Sequence, residues 1–276
     1  MVSIRTELTE RGIIARKRLG QHFLSDRNIV NRVVETAGIE KDDVVLEVGA
    51  GLGMMTLVLA DRAERVIAVE IDPKLAEILR EKAADRQNVE VIQKDILEVD
   101  FHRLYEKEKQ RLKVVANLPY QISTPLLFRL IDSRELFSSL TLMLQKEVAV
   151  RMAAAPGGKN YGVLSIFTQM VSDLFIRFLI KPSAFFPPPK VESAVIQMVW
   201  KERPIVDSEH VDWFKKVVRG SFNYRRKTLI NALKHSGLSL PEDVLERMNR
   251  IGIDPQRRPE TLTIQEYVRL ADVLKE

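Results

Sequence analysis

Between residues 44 and 145 short apolar runs alternate with helical stretches, and that alternation leaves few folds open. Val44-Val-Leu-Glu-Val48, Arg65-Val-Ile-Ala-Val-Glu70, Val89-Glu-Val-Ile-Gln93, Lys113-Val-Val-Ala116 and Leu140-Thr-Leu-Met-Leu144 read as strands. Met54 to Ala63 reads as a helix, and Asp72 followed by Pro73 opens another that runs to about Ala84, because proline suits the first helical position and aspartate the cap before it. Strands separated by helices pair in parallel through right-handed crossovers, which predicts an α/β sheet covered on both faces. Two further strands are expected at about 171–179 and 193–200, the second alternating Ala194, Ile196, Met198 and Trp200 against Val195, Gln197 and Val199. No crossover helix separates this pair, so the sheet should end in an antiparallel edge. Beyond Lys201-Glu-Arg-Pro204 strand signals vanish, and helices are expected at about 208–219, 225–236, 241–250 and 263–275. The predicted organisation is a sheet domain over residues 1–203 and a small all-α domain over 204–276.

Composition removes several classes of chemistry. The 276 residues contain no cysteine, which excludes disulfides, thiolate zinc sites, iron–sulfur clusters and a cysteine nucleophile. The four histidines, His22, His102, His210 and His235, are scattered without the i, i+4 pairing of a helical metal site, so no metal is expected. No apolar run approaches the ~20 residues of a membrane helix. Arg5, Glu7 and Glu10 give the start of the chain a charged character unlike that of a signal peptide, and a cytoplasmic protein without membrane contact is expected.

Glu47-Val-Gly49-Ala-Gly51-Leu-Gly53 lies between the first strand and its helix. Glycines there allow a tight turn and close approach of the backbone to a ligand. Met54 stands where a dinucleotide fingerprint places its third glycine, whereas S-adenosylmethionine has no pyrophosphate to seat on a helix terminus. Glu70 ends the second strand 19 residues after Gly51, where such folds carry an acid for ribose hydroxyls. Asp95 follows the third strand and has two readings: acceptor for an adenine amine, or helix N-cap for Ile96 onward.

Asn117-Leu118-Pro119-Tyr120 follows the fourth strand and resembles the Asn/Asp-Pro-Pro-Tyr/Phe class of amino-methyltransferases. An adenine N6 amine is a poor nucleophile because its lone pair is delocalised into the ring. If the Asn117 side-chain oxygen and the Leu118 carbonyl accept its two N–H bonds, the nitrogen can pyramidalise towards a sulfonium methyl. Pro119, with fixed φ, keeps that carbonyl rigid, and Tyr120 offers a face for the extruded base. The competing reading is a proline turn after a buried strand. Ser183-Ala-Phe-Phe-Pro-Pro-Pro-Lys190 is stiffened by three prolines; it either protects a sheet edge or holds Phe185 opposite Tyr120 to sandwich the base.

Five motifs occur in order: Lys17-Arg-Leu-Gly-Gln-His-Phe-Leu24, the glycine turn, Asn117-Leu-Pro-Tyr-Gln-Ile-Ser-Thr-Pro125, Phe185-Phe-Pro-Pro-Pro-Lys-Val191 and Asn223-Tyr-Arg-Arg-Lys-Thr-Leu229. Together they resemble the small-subunit ribosomal RNA adenine dimethyltransferases, the family of the kasugamycin-sensitivity methylase. The resemblance implies a Rossmann-like class I methyltransferase sheet with a small C-terminal helical domain that binds RNA. It further implies S-adenosyl-L-methionine as methyl donor, and four methyl groups delivered to two adjacent adenosines in the 3′-terminal hairpin loop of small-subunit RNA. The partner would be a partly assembled small ribosomal subunit, and the protein would act as a monomer. Carried over by position, Gln21, His22 and Leu24 close over the methionine end, with Gly49 beneath it and Glu47, Gly51 and Ile71 in the same cofactor set. Glu70 takes the ribose, Asp95 and Ile96 the adenine, and Asn117 both the methionine side and the target amine. Tyr224 and Gln121 depart from the common glutamine and asparagine of the family, at positions that do not carry the chemistry. Pro156-Gly-Gly-Lys-Asn-Tyr-Gly162 resembles the family's mobile loop and otherwise reads as an exposed turn.

Net charge is only +5, but it is unevenly spread. Arg11, Arg16, Lys17, Arg18, Arg27 and Arg32 face one acid, Asp26, and the stretch from Trp213 to Lys234 has no acid at all. Phe214, Val217, Val218 and Phe222 follow helical spacing and should face a core. Lys215, Lys216, Arg219, Arg225, Arg226 and Lys227, together with Arg16, Lys17 and Arg18, are then candidates for phosphate contacts. The alternatives are solvated helix faces or, for Arg225 and Arg226, an interdomain ion pair. Three other functions remain open at this stage: a large-subunit methylase of the macrolide-resistance type, a non-catalytic assembly or transcription factor, and a nicotinamide dehydrogenase, the last disfavoured by Met54.

Overall fold

The computed structural model describes residues 4–16, 19–207 and 209–275. Elements in chain order are α1 (Ile4–Glu10), β1 (Phe23–Leu24), α2 (Arg27–Ala37), β2 (Val44–Val48), α3 (Met54–Ala60), β3 (Arg65–Glu70), α4 (Pro73–Lys82), β4 (Val89–Gln93), α5 (Phe101–Glu108), β5 (Leu112–Asn117) and α6 (Ser123–Asp132). They continue with β6 (Phe137–Gln145), α7 (Lys146–Met152), α8 (Val163–Gln169), β7 (Ser172–Ile180), β8 (Phe185–Phe186), β9 (Ser193–Trp200), α9 (Val211–Asn223), α10 (Leu229–Lys234), α11 (Val244–Arg250) and α12 (Ile264–Val273).

Seven strands form one sheet in the order β4-β3-β2-β5-β6-β9-β7. The first five pair in parallel, β9 joins β6 antiparallel, and β7 lies beyond β9 at the edge of the sheet. β2 is apolar at Val44, Val45, Leu46 and Val48, all buried, because a central parallel strand is covered on both faces. The chain crosses from β2 to β3 on one side and reaches β5 on the other, so the strand order reverses at the β2–β5 junction. Loops leave the carboxyl ends of these two strands in opposite directions there, opening the crevice where such sheets hold ligands.

The chain divides into two compact units, residues 1–149 with 175–200, and residues 150–174 with 201–276. The break near residue 200 lies close to the boundary expected at 203, but residues 150–174 group with the C-terminal helices. The physical reason is packing: Tyr161 is fully buried and meets the Phe222 ring edge-on at 6.5 Å. The 156–162 loop is also tied down, the Gly157 amide donating to the Glu260 carbonyl at 2.7 Å. Within this unit Phe214, Val217, Val218, Leu229, Leu233 and Tyr267 are buried, while Phe222 is only half-buried. The helix expected over 225–236 is shorter, Leu229–Lys234, with Thr228 in extended conformation at its N-cap.

Candidate active site

A single cavity at the carboxyl ends of β2, β3, β4 and β5 is lined by Gln21, His22, Leu24, Glu47, Gly49, Gly51, Glu70, Ile71, Asp95, Ile96, Asn117, Leu118, Pro119 and Tyr120. Every cofactor-site and tetrapeptide residue named from the sequence therefore reaches one space. Met143, Met55, Leu19 and Ile4 also line it; nothing in their local sequence marks them, since they arrive from β6, α3, the segment before β1 and α1.

The glycine turn is built by hydrogen bonds to β3. The Gly49 and Ala50 amides donate to the Val69 carbonyl at 2.9 and 3.3 Å. The Gly51 amide donates to Glu70 Oε2 at 2.8 Å, and the Asp72 amide to Glu70 Oε1 at 2.9 Å. Burial pushes the Glu70 carboxyl up from its ordinary range, and the backbone donors pull it back. Gly49 adopts φ +72°, and a Cβ there would stand 3.4 Å from the Asn117 carbonyl oxygen. The turn after β2 thus lies within van der Waals reach of the tip of β5, and its left-handed backbone there favours glycine.

Asn117 ends β5 opposite Met143, and the Leu118 amide continues the ladder to the Met143 carbonyl at 2.9 Å. The Asn117 side-chain nitrogen donates to the His22 carbonyl at 3.0 Å. A carbonyl only accepts, so this contact fixes which end of the amide is nitrogen and leaves Oδ1 as the acceptor. The Tyr120 hydroxyl shares a hydrogen bond with Ser193 Oγ at 3.0 Å, and burial raises its pKa. His22 stands 5.5 Å from the Tyr120 ring, centroid to centroid, and its Nδ1 meets the Pro187 carbonyl at 2.7 Å. That contact requires the proton on Nδ1. Asp95 fits both of its readings: Oδ1 accepts the Leu97 amide at 2.9 Å as an N-cap, and the residue still lines the cavity.

Phe185 corrects the expectation. It is 4% exposed and packs in the core with Val33, Met143 and Val195, outside the cavity lining. The cause is strand pairing: β8 pairs antiparallel with β1, Leu24 opposite Phe185 and Phe23 opposite Phe186, and the alternation of a strand turns Phe185 inward. The aromatic neighbour of Tyr120 is His22 instead.

Residues 13–276 match the family model for the ribosomal RNA adenine dimethylase. The chain belongs to that family. It is 47% identical over 262 residues to a ribosomal RNA small subunit methyltransferase A of Geobacter metallireducens, covering 94% of this chain and 95% of the relative. Among solved structures, a dimethyladenosine transferase from Plasmodium falciparum superposes with a TM-score of 0.78 at 28% identity, over 90% of this chain and 96% of that one. A 23S rRNA methyltransferase, ErmE, superposes with a TM-score of 0.69 at 26% identity, over 91% of this chain and 99% of that one.

The basic residues of this dimethylase family member divide by environment. Arg16 Nε pairs with the buried Asp72 carboxylate at 3.2 Å while 37% of its side chain stays exposed. Lys17 and Arg18 lie outside the described residues. Lys216, Arg219 and Arg226 are exposed, and Lys215 and Lys227 half-buried. Arg219 lies over the Phe167 ring at 5.4 Å, and Lys227 over Tyr224 at 5.0 Å. Arg225 donates to the Gly158 carbonyl at 3.2 Å, with Glu260 at 4.0 Å. Residues 225–227 sit on a turn closed by the Lys227 amide to the Tyr224 carbonyl at 2.8 Å. Among the described residues no cluster suited to a metal is present, and no helix is long and apolar enough to cross a membrane.

Glu47 tests the fit to a cationic ligand. It is 1% exposed, and its Oε2 has no hydrogen-bond partner from the protein. Burial pushes its pKa to about 8, the Glu70 charge adding and Thr56 opposing. A folded-state pKa above the unfolded 4.5 means that ionisation opposes folding: the penalty is absent below about 4.5, grows with pH, and is complete above about 8. Its ceiling is about 5 kcal/mol. Glu47→Gln should therefore raise the melting temperature of the cofactor-free protein at pH 8.5 and leave it nearly unchanged at pH 4.5. A difference independent of pH would show that Glu47 is not held neutral.

Proposed function

We propose that this protein transfers methyl groups from S-adenosyl-L-methionine to N6 of two adjacent adenosines in the 3′-terminal hairpin loop of small-subunit ribosomal RNA, acting on a partly assembled subunit. The supporting observation is the placement of Asn117 at the strand-order reversal, touching the glycine turn, with its amide nitrogen committed to His22. When bound, S-adenosylmethionine supplies an electrophilic methyl on a sulfonium. Asn117 Oδ1 and the Leu118 carbonyl accept the two N–H bonds of the target amine and direct its lone pair. The Leu118 amide, tied to Met143, anchors the residue, and Pro119, with its fixed φ, restrains the peptide unit that carries its carbonyl. Tyr120, restrained by Ser193, stacks on the extruded base, with His22 as the neighbouring ring. No strong base is required, because the amine becomes acidic only as the new C–N bond forms. Catalysis is orientation and electrostatic preorganisation.

Glu70 fits the ribose hydroxyls, since each carboxylate oxygen keeps a second lone pair beyond its backbone donor. Asp95 Oδ2 and Ile96 fit the adenine, and Glu47 Oε2 fits an ammonium. The helical unit, with Lys215, Lys216, Arg219, Arg226 and the turn at 225–227, supplies phosphate contacts without base reading. In this reading the enzyme works as a cytoplasmic monomer.

Methylation of isolated small and large subunits with labelled donor, followed by mass mapping of the RNA, tests the proposal. Label on two adjacent small-subunit adenosines is expected; label confined to the large subunit would overturn it in favour of the macrolide-resistance type of activity. Replacing Arg225 and Arg226 together by alanine should weaken RNA binding and reduce the slope of log K against log salt by about one to two. An unchanged slope would assign Arg225 to its internal contacts with Gly158 and Glu260 and deny Arg226 a phosphate role.

A further inference from the structure

We infer that Arg129 is a positioning residue that sets the amine-reading edge of the cofactor cleft. This rests on the assignment of the cleft to S-adenosylmethionine with Asp95 at the adenine, and it extends that assignment to a residue outside the cavity.

Asp95 is carried by a three-residue 3-10 turn, Ile96–Glu98. So short a turn holds itself weakly. Its own closures are the Glu98 amide to the Asp95 carbonyl at 2.9 Å and the Val99 amide to the Ile96 carbonyl at a long 3.3 Å. The carbonyls of Ile96 and Val99 are instead bound from α6. Arg129 Nη1 donates to Ile96 at 2.7 Å and Nη2 to Val99 at 2.8 Å. The guanidinium lies over the Phe101 ring at 4.6 Å, and Phe101, 3% exposed, is itself fixed edge-on against Phe137 at 5.3 Å. A planar fork bonded at two nitrogens and stacked on one face has little freedom, so it fixes the spacing of the two carbonyls it spans.

The position of that turn decides what Asp95 can do. Oδ1 is committed to the Leu97 amide, which leaves Oδ2 for a ligand amine, at a place set by the turn. Arg129 thereby acts on the adenine through Asp95 without touching it. The same helix starts at Ser123, whose hydroxyl donates to the Tyr120 carbonyl at 3.0 Å. α6 thus ties the base-stacking end of the site, through Ser123, to the purine end, through Arg129, across about 9 Å of helix.

The test compares binding of S-adenosylhomocysteine with its purine-riboside counterpart lacking the 6-amino group, by calorimetry on the wild type, Arg129→Lys and Arg129→Met. The wild type should prefer the amine-bearing compound by at least about tenfold, as expected for a hydrogen bond to a charged acceptor. Lysine carries its donors on one nitrogen and lacks the planar fork that spans the two carbonyls. Arg129→Lys should therefore lose about tenfold for S-adenosylhomocysteine and change about twofold or less for the deaminated compound, collapsing the preference. Equal weakening of both ligands, or no weakening of either, would overturn the inference and leave Arg129 a support of the fold. Absence of the preference in the wild type would overturn the adenine role of Asp95, and the inference with it. If Arg129→Met fails to fold, Arg129→Lys carries the comparison, with melting temperature as its control.

Discussion

Asn117→Ala should reduce methyl transfer by on the order of a hundred- to a thousandfold, the size found when one preorganised polar group is removed from a reacting centre, while RNA affinity stays within about twofold. The substitution removes two functions at once. It deletes the oxygen that accepts from the target amine, and it releases the His22 carbonyl bound by the side-chain nitrogen. Asn117→Asp separates them: a carboxylate still accepts from an amine but cannot donate to His22, and it sets two oxygens against each other. The aspartate variant should retain more transfer than alanine and bind the donor more weakly than wild type. Single-turnover transfer and donor calorimetry, measured side by side, distinguish these outcomes. Equal loss of transfer and RNA binding in Asn117→Ala would contradict the role given to the side chain.

Glu70→Ala should lower both stability and donor affinity, and Glu70→Gln should be nearly as damaging. Each carboxylate oxygen receives a backbone N–H, from Gly51 and from Asp72. Alanine leaves both donors unpaired in a site that is 5% exposed, about 1–3 kcal/mol for each. Glutamine presents an NH2 to one of those two donors, so its amide cannot satisfy both. Thermal unfolding should show a clear drop for both variants, and S-adenosylhomocysteine binding should fall by at least about tenfold. A glutamine variant as stable as the wild type would mean that the two amides do not depend on the carboxylate.

Local chemistry explains what was legible from the amino acids. The glycine turn, Glu70, Asp95 and the tetrapeptide each lie at or just beyond the carboxyl end of a strand, and strands of a parallel sheet end on one edge, so residues distant in sequence had to converge. The α4 cap was equally local: Asp72 accepts the Lys74 amide, with Pro73 at the first position. What failed was decided by distant partners. Phe185 looked like a stacking ring, but its facing is set by pairing with Leu24, a contact absent from the sequence around either. The late start of α10 has a local sign in Thr228, a residue type favoured at N-caps, although its side chain makes no capping hydrogen bond. Arg129 carries no motif, and its importance follows only from the turn it reaches.

The pairing of β1 with β8 bears on when the protein becomes competent during its own synthesis. The hydrogen bonds that close this corner, Ser25 to Ala184 and His22 to Pro187, join positions 159 and 165 residues apart. Such distant closures form slowly, after local structure has reduced the effective loop. Chains emerge from the ribosome amino end first, so the bend at Gly49, both acids and Asn117 are all available while Phe23 and Leu24 still wait for their strand partner. A growing polypeptide shorter than about residue 187 would leave an open trough, and residues 22–25 would settle only when Ala184 to Pro187 arrive.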